Sequence, residues 1–247
     1  MEVFKVESLN KPCKDRTDDS LKERNHKISI ELVSDRLRTL SLLERLGFPV
    51  PLHQAAYFLA DLEVAIKKVG GYPIAIKPLN ASNRQGITLN INNLAEAQSA
   101  CRLALQVSKS GGVLVEEYYR SNNKYRILVI DGRVMRAIEI RYFQSDDGSK
   151  SQLEETILEP ESDSKIDKID RLIDLNVIKF NQNKIIRDFT NKIQLQNIYL
   201  AQTVATIVGL DAVEIEIVAK DLSLPLSLTS GVIINVNSSF QLKSYFL

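Results

Sequence analysis

Glycine is scarce in this chain. It numbers 10 among 247 residues, where average usage of about 7% would give roughly 17. Loops that cradle phosphate rely on glycine for close backbone approach, so few are available here. Cysteine and histidine number two each. Cys13 and Cys101 have neither metal-ligand nor redox spacing, and they suit a reducing cytoplasm better than a disulfide framework. His26 and His53 stand far apart, which argues against a histidine metal site or a Ser-His triad. No apolar run approaches the roughly 20 residues of a membrane span. No charge of one sign dominates either. The formal net charge is +1, so there is no bulk electrostatic case for nucleic acid or a membrane as partner. Residues 1–29 are polar and mixed in charge, without an apolar h-region or cleavage site. They read as a partly disordered lead-in rather than a secretory signal, and the expected location is cytoplasmic.

What is present is ordinary globular material. Hydrophobic residues make up 44% and charged residues 26%, enough for one large domain or two lobes with a substantial core. SDRLRTLSLLERLGFPVP, from Ser34, reads as a helix capped by Ser34 and stopped by Gly47 and Pro49. A second helix is expected over Asp61 to Val69. A third follows Asn93 and buries Ala97, Ala100, Cys101 and Ala104, and a fourth ends at Gly209. Strands are expected at 72–77, 87–91 and 113–119, in a hairpin turning on Asp131-Gly132, and in AVEIEIVAK and LTSGVIINVNSS. Residues 144–164 are polar and acidic and read as an exposed loop or lid; Ser164 then caps an amphipathic helix through Ile173. The segments lack a regular βαβα cadence, so the expected class is α+β.

Three groups of residues could carry chemistry. Lys77 ends an apolar strand. It can point its ammonium at a nucleotide phosphate, or simply snorkel from a strand end. Glu116 and Glu117 close VLVEE, where a carboxylate and the backbone can read an adenine edge; a solvated pair is the alternative. Glu214 and Glu216 alternate with Val213, Ile215 and Ile217, and Asn235 and Asn237 share one face of the last strand. If those strands pair, carboxylate and carboxamide oxygens converge as Mg²⁺ would need, with nucleotide phosphates supplying further ligands. If they do not, these are surface residues. The pattern leaves both open.

Taken in order, GGYPIAIKPLNASNRQGITLNI, VLVEEYYRSNNKYRILVIDGRVM, VGLDAVEIEIVAKDLSLPLS and SGVIINVNSS resemble the ATP-grasp domain. The subtype they resemble is that of cyanophycin synthetase, with the helix from Ser34 opening the domain, and the likeness runs from about Ile30 to Ser239. The resemblance implies a two-lobed α+β fold over 30–247. A smaller nucleotide-gripping lobe spans about 48–117 and a larger lobe with the metal site spans about 118–247. It implies ATP and Mg²⁺, an acyl-phosphate intermediate, and ligation of an amino acid or peptide amine to a carboxylate. Lys77 resembles the phosphate-contacting lysine, and Asn80, Ser82, Arg84 and Gly86 fall in the flexible loop. Glu116, Glu117 and Tyr118 fall in the strand that meets adenine. Arg126 matches a catalytic arginine near the phosphates, and Glu216, Asn235 and Asn237 stand at metal-ligand positions.

The departures from that pattern are specific. Where the family loop reads D-G-N-x-G-x-G, this one reads N-A-S-N-R-Q-G, with Ala81 and Arg84 in place of glycines. A second acidic ligand is replaced by Asn235, and an acidic residue before Arg126 by Lys124. The family's substrate-binding stretch has no match in the short segment before Ile186. Two readings follow. One is a domain binding ATP and Mg²⁺ that keeps weak ligase activity. The other is a non-catalytic pseudoenzyme that serves as a partner-binding or regulatory module.

Overall fold

The computed structural model describes residues 24–81, 85–119, 123–142, 177–181, 184–240 and 244–245. Two antiparallel sheets organise them. The smaller sheet has β1 (His53–Ala56), β2 (Ile74–Pro78), β3 (Thr88–Ile91) and β4 (Val113–Glu117) in the order β1-β4-β2-β3. The larger has β5 (Asn123–Ile130), β6 (Arg133–Tyr142), β7 (Val177–Asn181), β8 (Lys184–Asp188), β9 (Ala212–Val218) and β10 (Val232–Asn237) in the order β10-β9-β5-β6-β8-β7. Helices and antiparallel strands mix without crossover regularity, so the class is α+β.

The chain enters through α1 (Lys27–Ser34) and α2 (Arg36–Arg45). Asn25 lies inside the stretch expected as lead-in, yet it is buried and bonds both backbone groups of Ala212. Ser34 does not cap the helix expected from it. Its hydroxyl donates to the Glu31 carbonyl at the end of α1, and the Asp35 carboxylate accepts from Arg38 N–H as the true cap of α2. The two residue types cap equally well, and only the backbone break at Asp35 separates them.

Helices α3 (Leu62–Lys68) and α4 (Leu94–Val107) pack on one face of the small sheet. Asn93 caps α4 by accepting from Glu96 N–H, and Cys101 is fully buried beside Ala97, Ala100 and Ala104, as their spacing requires. Helix α5 (Leu195–Val208) ends on Gly209 at φ +68° and packs on the large sheet over Val204, Ala205, Ile127, Val129, Val213 and Ile215. The hairpin β5–β6 turns on Asp131 and Gly132 at φ +52° and +70°, the left-handed pair that a two-residue hairpin turn demands.

The α2 helix links the two sheets. Leu40 packs with Leu79 and Leu114 of the small-sheet side, Arg36 Nη1 donates to the Pro78 carbonyl at 2.8 Å, and α2 also touches β10. Strand β1 was not expected, because HQAA has no β-branched residue; its pairing with β4 alone makes it a strand. The β7–β8 hairpin was not expected either. The acidic loop, the helix after Ser164, and the candidate residues Ser82 and Arg84 lie outside the described residues. Among the described residues, no helix is long and apolar enough to cross a membrane.

Candidate functional site

Alternation on three neighbouring strands builds a polar face. On β9, Val213, Ile215 and Ile217 enter the core beneath α5, so Glu214 and Glu216 emerge on the other side. On β5, Tyr125 and Ile127 join that same core, so Lys124 and Arg126 emerge beside the glutamates. The register puts Arg126 opposite Glu216 on one side, and Asn235 opposite Glu216 and Asn237 opposite Glu214 on the other. The carboxylates and carboxamides therefore converge, because β9 and β10 pair.

The contacts among them are specific. Lys124 Nζ lies 2.9 Å from Glu216 Oε2. Arg126 Nε lies 3.5 Å from Glu216 Oε1, an ion-pair separation. Asn235 Nδ2 donates to Asn237 Oδ1 at 2.9 Å, and Asn237 Nδ2 donates to Glu214 Oε1 at 3.0 Å. The Tyr245 hydroxyl donates to Glu214 Oε2 at 2.6 Å. Burial, and then the nearby Glu214 carboxylate, push the Tyr245 phenol well above its ordinary value. Glu214 and Glu216 are only 4% and 3% exposed, which rules out the surface-residue alternative for them.

The flank of this face is also structured. Phe240 and Tyr245 pack against Leu128, Ile130, Ile138, Ile140 and Ile186. Arg136 bridges Asp188 at 2.7 Å and donates to the Tyr245 carbonyl.

The small sheet carries the second group. Ile74 and Ile76 of β2 and Val113 and Val115 of β4 face α3 and α4, so Lys77 and Glu116 lie on the opposite face. Lys77 Nζ is 2.7 and 2.9 Å from the two oxygens of Glu116, and both side chains are buried. The lysine expected at phosphate and the glutamate expected near adenine are thus partners of each other. Glu117 sits at the end of β4, its N–H donating to the Leu52 carbonyl at 2.9 Å. The Tyr119 phenol beside it is raised, first by burial and then by Glu117. Tyr118 N–H donates to the Pro73 carbonyl at 3.1 Å.

The loop after Lys77 is braced to the turn between α4 and β4. Asn80 Oδ1 accepts from Ser110 N–H at 2.8 Å, and the Asn80 carbonyl accepts from Lys109 N–H at 3.2 Å. Gly86 has φ +71°, and a Cβ there would lie 2.5 Å from Val107 Cγ2 and 3.1 Å from Ala104 Cα. Packing against α4 alone is enough to require this glycine.

The side chains at the expected metal position do not fit Mg²⁺ as they stand. A hard cation at 2.0–2.1 Å wants several free anionic oxygens. Here Glu216 already neutralises one ammonium and approaches one guanidinium. Both Glu214 oxygens and Asn237 Oδ1 accept protein hydrogen bonds. Among the described residues, no three His, Cys, Asp or Glu cluster as metal ligands. Two participants escaped the sequence reading. Lys124 was visible only as a departure, and Tyr245 left no signal, since its partner lies 31 positions away.

Known proteins resemble this chain in sequence and in fold. A model of the RimK-like ATP-grasp domain matches residues 33–161. Cyanophycin synthetase from Geminocystis herdmanii is 33% identical over 244 residues, covering 86% of this chain and 28% of that protein. The chain thus spans under a third of the length of such relatives. D-alanine–D-alanine ligase from Bacillus anthracis has a similar fold, with a TM-score of 0.58 and 12% identity over 90% of this chain and 63% of that one. So does the ATP-grasp ligase PsnB, solved with a phosphomimetic variant of its minimal precursor, Mg and ADP (TM-score 0.57, 16% identity, 90% of this chain and 55% of that one). The family match takes in α2, the whole small sheet and the β5–β6 hairpin, the frame that carries Lys77, Glu116, Lys124 and Arg126. On these grounds the chain belongs to the RimK-like ATP-grasp domain family.

Proposed function

We propose that this domain binds ATP between its two sheets and that its carboxylate–amine ligase chemistry is weakened or lost. In this reading the smaller sheet and its helices form one lobe and the larger sheet the other, with Lys77 and Arg126 offering cationic groups to the phosphates. Both are largely buried, and each lies beside a carboxylate, Glu116 or Glu216, that holds the cation in place while leaving it further N–H donors for phosphate oxygens. Glu116, Glu117 and Tyr118 line the adenine side. Mg²⁺ is implied by the family, but the donor set does not fit it, so no step here runs through the metal. Where a ligase of this type is active, a carboxylate attacks the γ-phosphorus, ADP leaves, and an amine displaces phosphate from the acyl phosphate. Amino acids and peptides are the substrate class in view.

The observation that carries the reading is the Glu216 carboxylate engaged by Lys124 and Arg126. Phosphoryl transfer needs concentrated positive charge on the phosphates, and a carboxylate with two basic neighbours offers a divalent ion little. Calorimetric titration with ATP tests the binding, and ADP release with aspartate, arginine or short peptides tests the chemistry. Binding without ADP release is expected. No binding at millimolar ATP sinks the proposal, and sustained ADP release shows that catalysis survives.

A further inference from the structure

Lys124 occupies the place of a counter-ion. It stands two residues before Arg126 on β5, so both side chains leave the same face and meet Glu216 across the β5–β9 ladder. The side chains of Lys124, Arg126 and Glu216 are 18%, 10% and 4% exposed, so solvent screens their charges weakly. A divalent cation bound through Glu216 would have to displace the ammonium from its 2.9 Å contact and then sit beside two like charges. Glu214 could not compensate easily, since both its oxygens are taken by Asn237 and Tyr245.

We propose that the Lys124 ammonium, fixed by Glu216, replaces the divalent cation of this site, so that the domain takes a nucleoside triphosphate as the free, metal-free anion. The inference rests on the nucleotide-binding reading above and adds the ionic form of the ligand. An ammonium held against a carboxylate is a compact point charge with three N–H donors, suited to phosphate oxygens without an octahedral ligand shell. One lysine in place of an acidic residue thus changes two things at once. By engaging Glu216 it withholds that carboxylate from a cation, and it supplies a charge to the phosphates.

The test compares ATP affinity in EDTA and in saturating Mg²⁺, and separately titrates protein with Mn²⁺ alone, reading the electron paramagnetic signal of the free ion. Wild-type protein is expected to bind ATP in EDTA within about threefold of its affinity in Mg²⁺ and to leave the Mn²⁺ signal unchanged. The Lys124→Glu variant is expected to deplete the Mn²⁺ signal and to lose roughly tenfold or more of its ATP affinity in EDTA. Lys124→Met removes the charge while keeping the stem, and is expected to lose ATP affinity in EDTA likewise. A wild-type protein that needs Mg²⁺ to bind ATP, or that depletes Mn²⁺ as K124E does, overturns the proposal without recourse to any variant. If ATP binds under neither condition, the nucleotide reading fails by itself. The contrast in Mn²⁺ binding between wild type and K124E then decides whether Lys124 holds the cation position.

Discussion

The Tyr245 hydroxyl donates a 2.6 Å hydrogen bond to Glu214 Oε2 on the buried face of the large sheet. Glu214 also accepts from Asn237, which accepts from Asn235, so one phenol closes a chain across β9 and β10. A hydrogen bond from a neutral donor to a buried carboxylate contributes about 1.5–3 kcal/mol. Tyr245→Phe should therefore destabilise the protein by that order in urea unfolding. The cost arises because Glu214 keeps its place but loses one partner.

The same bond has a pH signature. The folded phenol holds its proton more tightly than the unfolded one, since burial and Glu214 raise it. Tyr125 behaves alike, raised by burial and then by Glu139, whose Oε1 accepts its hydroxyl at 3.0 Å. A group with a raised folded value contributes stability that is complete below its unfolded value of about 10 and is lost as pH rises beyond it. Urea midpoints should thus hold steady for these groups up to about pH 10 and fall above it. The fall should be shallower in Y245F and in Y125F. Phenolate absorbance should show these two tyrosines ionising only as the protein unfolds.

Gly86 gives a prediction that separates packing from ligand binding. Its positive φ already strains any side chain, and a Cβ would press into Val107 and the α4 backbone. Gly86→Ala should cost more than the roughly 1 kcal/mol of the backbone term alone, reaching about 2–4 kcal/mol with overpacking. Thermal unfolding without nucleotide measures this. An unchanged melting temperature would show that the loop, rather than α4, had required the glycine.

How much was legible follows from which signals are local. Asn93, Gly209 and Asp131-Gly132 act within a few residues, and each did what its type predicts. Alternation placed Glu214 and Glu216 on one face before any pairing was known. What alternation cannot say is which strand lies alongside. Lys124 and Glu216 are partners only because β5 chose β9 as its neighbour, and Lys77 and Glu116 only because β2 chose β4. Helix α1 was missed for a different reason: His26 makes no side-chain cap, and no stop separates KISIELVS from the helix that follows.

Cys101 should resist thiol reagents in the native state. It is fully buried on the inner side of α4, and burial pushes its thiol up, away from the reactive thiolate. Peptide mapping after iodoacetamide should find Cys101 labelled only when urea is present. Labelling in native buffer would mean that α4 opens readily from the small sheet.

The Lys77–Glu116 pair can be tested for stability and for binding at once. Removing one partner leaves the other charge buried and uncompensated, which costs about 3–5 kcal/mol, whereas replacing both with apolar residues of similar volume is often close to neutral. Lys77→Met and Glu116→Leu should each lower the urea midpoint substantially, and the double variant should recover most of the loss. ATP affinity should follow a different pattern. If Lys77 meets phosphate, K77M and the double variant should both bind ATP at least about tenfold more weakly, with no recovery. Recovery of ATP binding along with stability would show that Lys77 serves the small sheet alone, and the phosphate contact would then rest on Arg126 and Lys124.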